Sequence, residues 1–212
     1  MKVQVTPEKA LIFRIVHRDN IALILDCGLE CANGTDPAAY RNIGDLDLIA
    51  KRRRRFVPVP PCGTLGDYVP FYFTYASIML FNIRTGHGVP SCPNEDIVFL
   101  VTSLHKLKEV GVQFVFTDRH AYLNAAEFFA DLNSLDRIDW DILQRRDFKH
   151  DPEDLEKKER YMAEALVYGR VPLNGLLGFA CYNVQVEEEL KLALADREIQ
   201  LPVYVKPTWY FR

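Results

Sequence analysis

Apolar residues in this chain fall into short runs punctuated by glycine, proline and asparagine, and their period sorts the runs into strands and helices. Residues 11–17, LIFRIVH, are apolar-rich with Arg14 and His17 as polar exceptions, which predicts a strand. Asp19 or Asn20 can cap the helix that follows, NIALILDC, which stops at Gly28. Residues 31–38, CANGTDPA, carry turn chemistry at Asn33-Gly34. The pattern over 40–55 predicts one or two short helices ending in cations, the favourable charge for a helix C-terminus. Pro58, Pro60 and Pro61 then forbid helix and impose an extended spacer. A strand over 69–73, a helix over 75–84 and a strand over 97–102 follow. Ser103 is placed to cap SLHKLKEV, which ends at Gly111. Residues 113–116 predict another strand, opening into Thr117-Asp118-Arg119-His120.

From 121 to 161 the pattern predicts mostly helix. It contains an amphipathic AYLNAAEFFADL, a short DWDILQRR, and PEDLEKKERYM starting at Pro152 with Asp151 as N-cap. Residues 163–168 predict a strand, and 179–183 and 203–205 further strands around a helix, VEEELKLALA. Strands and helices are interspersed with no repeating βαβ unit. The expected class is α+β, one domain over 1–212 with a mainly antiparallel sheet.

Charge changes this picture locally. A net charge of −3 argues against coating nucleic acid by bulk electrostatics, so any phosphate binding must come from a patch. The candidate is the run KRRRR at 51–55, directly before VPVPPCG, although a cation run is ordinarily a solvated helix end. Five cysteines, odd in number and without a CxxC pair, predict reduced thiols rather than a disulfide framework or a structural metal site. No secretory signal pattern or membrane-length apolar run is visible, and a soluble cytoplasmic chain is expected.

Several residues are of types that carry chemistry. Glu164 is the lone carboxylate in the apolar MAEALVY; its ordinary reading is a strand-start glutamate reaching water, and its functional one a carboxylate that orients a hydroxyl and accepts a proton. His17 reads as a satisfied core histidine or a donor to a ribose hydroxyl. His120 stands at a strand exit, where sites often form. Arg52 and its neighbours can clamp a pyrophosphate or a DNA backbone, since guanidinium forks match phosphate oxygens. Tyr68, Phe71, Tyr72, Phe73 and Tyr75 follow, and cations with aromatics suit single-stranded nucleic acid; such a cluster is more often plain core. No metal-ligand spacing, GxSxG or Walker pattern occurs.

Four blocks, FRIVHRDN, KRRRRFVPVPPCGTLGDYVPFYF, VFTDRHAY and ERYMAEALVY, stand in this order and at these separations. Together they resemble the DarT family of DNA ADP-ribosyltransferase toxins, from about Ala10 to the closing WYF at 209–211. The resemblance implies an ADP-ribosyltransferase fold related to that of poly(ADP-ribose) polymerases, with a split β core and NAD+ in a cleft. It implies transfer of ADP-ribose from NAD+, as substrate and without a metal, to thymine in single-stranded DNA. It implies a DarG-type macrodomain antitoxin as partner; with no membrane-length apolar run, no membrane association is expected, and a monomer is expected.

Carried over by position, Glu164 is similar to the family's catalytic glutamate, and Arg52 to its second catalytic residue. Arg14, Ile15, Val16, His17, Leu23 and Arg52 are implied on the NAD+ side, and Tyr72, Arg119 and His120 on the DNA side. Residues 37–55 correspond to the NAD+-binding element and 117–164 to the DNA-carrying loop region. Cys62 stands where some relatives have glycine, and the cation run is denser than the motif requires, so the choice among arginines 52–55 stays open. So do other acceptors for the same chemistry (guanine, RNA, protein or water) and a non-catalytic module that binds single-stranded nucleic acid.

Overall fold

Strand pairing organises the chain. The computed structural model describes residues 3–211. Its strands are β1 (Leu11–His17), β2 (Leu29–Glu30), β3 (Tyr68–Tyr72), β4 (Ile97–Ser103), β5 (Phe114–Thr117), β6 (Phe128–Phe129), β7 (Glu164–Tyr168), β8 (Arg170–Val171), β9 (Gly178–Cys181) and β10 (Val203–Val205). Eight form one sheet in the order β10-β9-β4-β1-β3-β7-β5-β6, and β2 pairs with β8 in a small second sheet. All pairings are antiparallel except β9 with β10, as the α+β reading requires.

Side chains alternate across a strand, so β1 feeds two cores. Ile12 and Val16 enter the larger cluster, while Phe13 and Ile15 enter one with Leu80, Ile97, Phe99 and Trp209. That two-sided burial is why LIFRIVH is nearly continuous in apolar residues. Against the larger core, α1 (Ile21–Cys27) buries Ile21, Ile24 and Leu25. Helix α2 spans Leu46–Arg52, with the Asp45 carboxylate accepting from the Leu48 N–H at 3.0 Å.

The next helix, α3 (Ile78–Thr85), begins three residues later than the expected 75. The Ser77 hydroxyl caps it by accepting from the Leu80 N–H, and Tyr75 stacks on Trp209 at 4.9 Å instead of entering the helix. Helix α4 (Leu104–Glu109) is capped by Ser103 as expected.

The region 121–161 is the main departure. Residues 121–131 are turns, loop and the short strand β6, and Leu132 opens a 3-10 helix to Arg137, in place of an amphipathic helix. The Asp118 carboxylate accepts from the Glu127 N–H at 2.9 Å, and Phe129 packs on Phe116 at 5.5 Å, so the segment completes the sheet edge. Helical spacing lost to tertiary pairing. Helix α5 (Trp140–Arg145) forms, but the helix expected from Pro152 shrinks to α6 (Lys157–Tyr161) with Glu156, not Asp151, at its N-cap. The acids ahead of it take other partners: Asp151 and Asp147 hold Lys157, and Asp154 and Asp139 hold Arg160. Helix α7 (Val184–Ala195) closes the larger core through Val186, Leu190 and Leu194.

Candidate active site

The sheet has a seam. Strands β1 and β3 share a single pairing, Phe13 with Tyr72, whereas β1 pairs with β4 along its whole length. A cleft lies where they part, lined by Arg14 and Ile15 of β1, Tyr72 of β3 and Glu164 of β7. Its outer wall comes from 37–53, including Tyr40, Asp45, Leu48 and Arg52. That wall is pinned at its base: the Asn20 amide donates to the Arg41 carbonyl and accepts from the Arg41 N–H, and the Arg41 guanidinium donates to Asp19.

Glu164 sits at the cleft floor, 1% exposed, directly across from Tyr72 in the β3–β7 pairing. A buried carboxylate must be fully bonded or its charge is costly. Here Arg52 Nη1 and Nη2 donate to Oε1 and Oε2 at 3.1 and 2.9 Å, and the Ala121 N–H donates to Oε1 at 3.0 Å. His120 Nε2 stands 3.6 Å from the same oxygen. Arg52 is itself 8% exposed, while Lys51, Arg53 and Arg54 of the same run face solvent. Its place in the last turn of α2 aims it inward, which singles it out among the cations.

The charges tune one another. Burial pushes the Glu164 carboxyl up, but the Arg52 charge, His120 and the hydrogen bonds outweigh it and hold the group below the ordinary carboxylate range. Burial holds the His120 imidazole below its ordinary value against the pull of Glu164, which keeps it neutral at pH 7. The Tyr72 phenol is pushed up to about 12 by burial, and the Glu164 charge adds to this. The floor of the cleft is thus an ionised carboxylate paired with a guanidinium, with a neutral imidazole and phenol beside it. Arg14 donates to the Pro70 carbonyl through Nη1, while its Nε is buried without a partner.

A family model described as ssDNA thymidine ADP-ribosyltransferase, DarT, matches residues 13–211. A DNA ADP-ribosyl transferase from Escherichia coli O127:H6 is 51% identical over 207 residues, covering 97% of this chain and 95% of that protein. The chain belongs to the DarT family. The structure of Thermus sp. 2.9 DarT in complex with ADP-ribosylated ssDNA is similar with a TM-score of 0.90 and 36% identity, over the whole of both chains. The same Thermus protein in complex with NAD+ gives a TM-score of 0.86 at 35% identity, over 97% of this chain and 99% of that one. The ADP-ribosyltransferase fold expected from the sequence is therefore the fold observed.

Within this DarT-family chain the expected site residues divide. Arg14, Ile15, Arg52, Tyr72, His120 and Glu164 line one cleft. Val16, His17, Leu23 and Arg119 do not. Val16 is in the larger core, Leu23 is half-buried on α1, and His17 is buried on the opposite face of β1 from Val16. Arg119 pairs with Asp118, Glu156 and Glu159, which ties the ends of the 118–159 segment together.

Two groups at the floor escaped the sequence reading. The Ala121 N–H is backbone, and no side chain advertises it. Thr117 accepts from the Glu164 N–H at 3.3 Å and donates to the Arg119 carbonyl at 2.6 Å, fixing the strand start that presents the carboxylate. A hydroxyl in TDRH beside a site histidine was the available signal.

Proposed function

We propose that this chain breaks the nicotinamide–ribose bond of NAD+ and joins the ADP-ribose to a ring nitrogen of thymine in single-stranded DNA. Nicotinamide leaves with the bonding electron pair, the thymine nitrogen supplies the pair for the new bond, and its proton departs. The observation that carries the reading is the buried, bidentate Arg52–Glu164 pair at the floor of the cleft. Bond cleavage builds positive charge on the ribose, and a carboxylate held ionised beside the sugar stabilises that charge. The same carboxylate is the nearest acceptor for the thymine proton. Its lowered affinity for protons suits a late transfer, once bond formation has made the ring N–H strongly acidic. Arg52 keeps the carboxylate charged and turned into the cleft, and is placed to donate to the incoming base.

Arg14 and Ile15, with the wall at 37–53, form the NAD+ side, and the unpartnered Arg14 Nε is a donor suited to a polar group of that substrate. Tyr72 and His120 border the acceptor side. Single strands offer an unstacked base at least cost, so a chain of net charge −3 needs only one local basic wall. Reversal by a macrodomain partner of the DarG type, and action in the cytoplasm as a monomer, complete the reading; among the described residues no helix is long and apolar enough to cross a membrane.

Mass spectrometry of thymine-containing and thymine-free oligonucleotides incubated with NAD+ tests the proposal. One ADP-ribose on the first only is the expected result. Adducts on both would move the acceptor away from thymine, and free ADP-ribose alone would make water the acceptor.

A further inference from the structure

His17 is far in sequence from Cys92 and Asp96, which stand four apart, but the fold gathers one ligand atom from each within 4.8 Å. His17 closes β1 and pairs with Ile97 at the start of β4; Asp96 is the residue just before Ile97, and Cys92 lies in the loop leading to it. None of the three lines the cleft. His17 is 2% exposed, and its Nε2 has no hydrogen-bond partner. That nitrogen points toward Asp96 Oδ2 at 3.9 Å. The other Asp96 oxygen is already held by Arg18 Nε at 3.1 Å, which leaves Oδ2 available. Cys92 is buried and shares a cavity with Arg84, Asn94 and Tyr182, and the Asn94 Oδ1 atom is likewise buried without a partner. Buried orphans of this kind are rare and ask for a reason.

We propose that His17 Nε2, Cys92 Sγ and Asp96 Oδ2 form a three-ligand site for a divalent transition metal of zinc type, closed by a water in the adjoining cavity. Imidazole, thiolate and carboxylate are the zinc ligand set, and three protein ligands with one water is a recurrent zinc arrangement. Tetrahedral zinc with bonds of about 2.0–2.3 Å sets ligand atoms about 3.3–3.8 Å apart, so small side-chain shifts close the site. Binding releases the Cys92 thiol proton to solvent and leaves the Nε2 lone pair on the metal. In this structure the Asp19 N–H donates to His17 Nδ1 at 3.1 Å, so the ring proton sits on Nε2; coordination moves it to Nδ1, exchanging that bond for one to Asp19 Oδ2 at 3.3 Å, the carboxylate–histidine–metal relay typical of such sites. Asp19 also holds Arg41, so the metal would brace the base of the cleft's outer wall from outside it.

The test is a cobalt(II) titration of the chelator-treated full chain under reducing conditions, with zinc competition. One equivalent of Co2+ should bind per chain with tetrahedral visible bands and a thiolate-to-metal charge-transfer band, and Zn2+ should displace it. Cys92→Ser should remove the charge-transfer band, and Asp96→Asn should weaken binding at least about tenfold, the order seen for loss of metal-site partners. Asp96 is part-exposed, so its variant carries the test should Cys92→Ser not fold. No saturable binding would overturn the proposal. So would binding that survives both substitutions and is lost in Cys27→Ser or Cys62→Ser, the exposed thiols.

Discussion

The Arg52–Glu164 pair makes a sharp prediction because both partners are almost wholly buried. Removing either charge strands the other: Glu164→Gln leaves a guanidinium at 8% exposure facing a neutral amide, and Arg52→Met leaves a carboxylate at 1% exposure. Breaking one side of such a pair typically costs about 3–5 kcal/mol, whereas replacing both sides is often nearly neutral. Glutamine keeps an oxygen for the Ala121 N–H, so that bond at 3.0 Å survives in the variant. The Arg52→Met/Glu164→Gln double variant should then be less destabilised than the sum of the singles by about 2–3 kcal/mol. Urea unfolding at pH 7.5 reads this directly, from midpoints at constant m. The pH matters. The folded carboxyl titrates below its unfolded value, so its contribution is present above the unfolded pKa and lost as pH falls through the folded one. Activity behaves differently from stability, since each single variant and the double should lose a similar factor, roughly 10²–10⁴ or more. Stability effects that add to within about 0.5 kcal/mol would refute the buried-pair account. A Glu164→Gln enzyme with near-full activity would refute the catalytic one.

Three further outcomes are expected. The depressed His120 pKa means the unfolded chain binds its proton first as pH falls below 6.5, so His120→Gln should flatten the loss of stability between pH 7 and 5; an unchanged slope would remove His120 from the buried site. A Cβ at Gly66, in the cleft wall, would stand 2.7 Å from Asn33 Oδ1 and 3.0 Å from Arg53 Cγ, and Asn33 is tied to Asp67, so Gly66→Ala should cost about 1–3 kcal/mol in urea and raise the KM for NAD+. Neutralising the exposed Lys51 and Arg54 should weaken single-stranded DNA binding and flatten the dependence of log K on log salt by up to about 0.7 per cation contacting phosphate; an unchanged slope would place the DNA elsewhere.

The strands were legible in the sequence as apolar runs, near-continuous where both faces are buried as in β1: β1 and β10 fall on the residues expected, and β4, β5, β7 and β9 within two residues. Caps with a side-chain signature, such as Ser103, were legible too. The 121–161 region was not. Its apolar spacing fits a helix, but Phe128 and Phe129 serve a sheet edge, and Asp147, Asp151 and Asp154 ahead of α6 answer to Lys157 and Arg160. The floor of the cleft was half legible. Glu164 stands out as a charge in an apolar strand, whereas the inward aim of Arg52 depends on where α2 ends, a helix phase that five consecutive cations conceal. The His17–Cys92–Asp96 group was not legible, because the β1–β4 pairing alone brings His17 to the Cys92–Asp96 loop.

The carboxylate is held directly by both ends of the long segment between β5 and β7. Ala121 at one end donates to Glu164 at the other, and Arg119 clasps Glu156 and Glu159 across the neck. The middle is anchored separately, by Leu135, Ile138, Ile142 and Leu143 in the larger core, so changes at its exposed positions should leave the reacting groups where they are. Lineages can reshape what that excursion touches while inheriting the chemistry unchanged, so recognition is free to drift faster than catalysis.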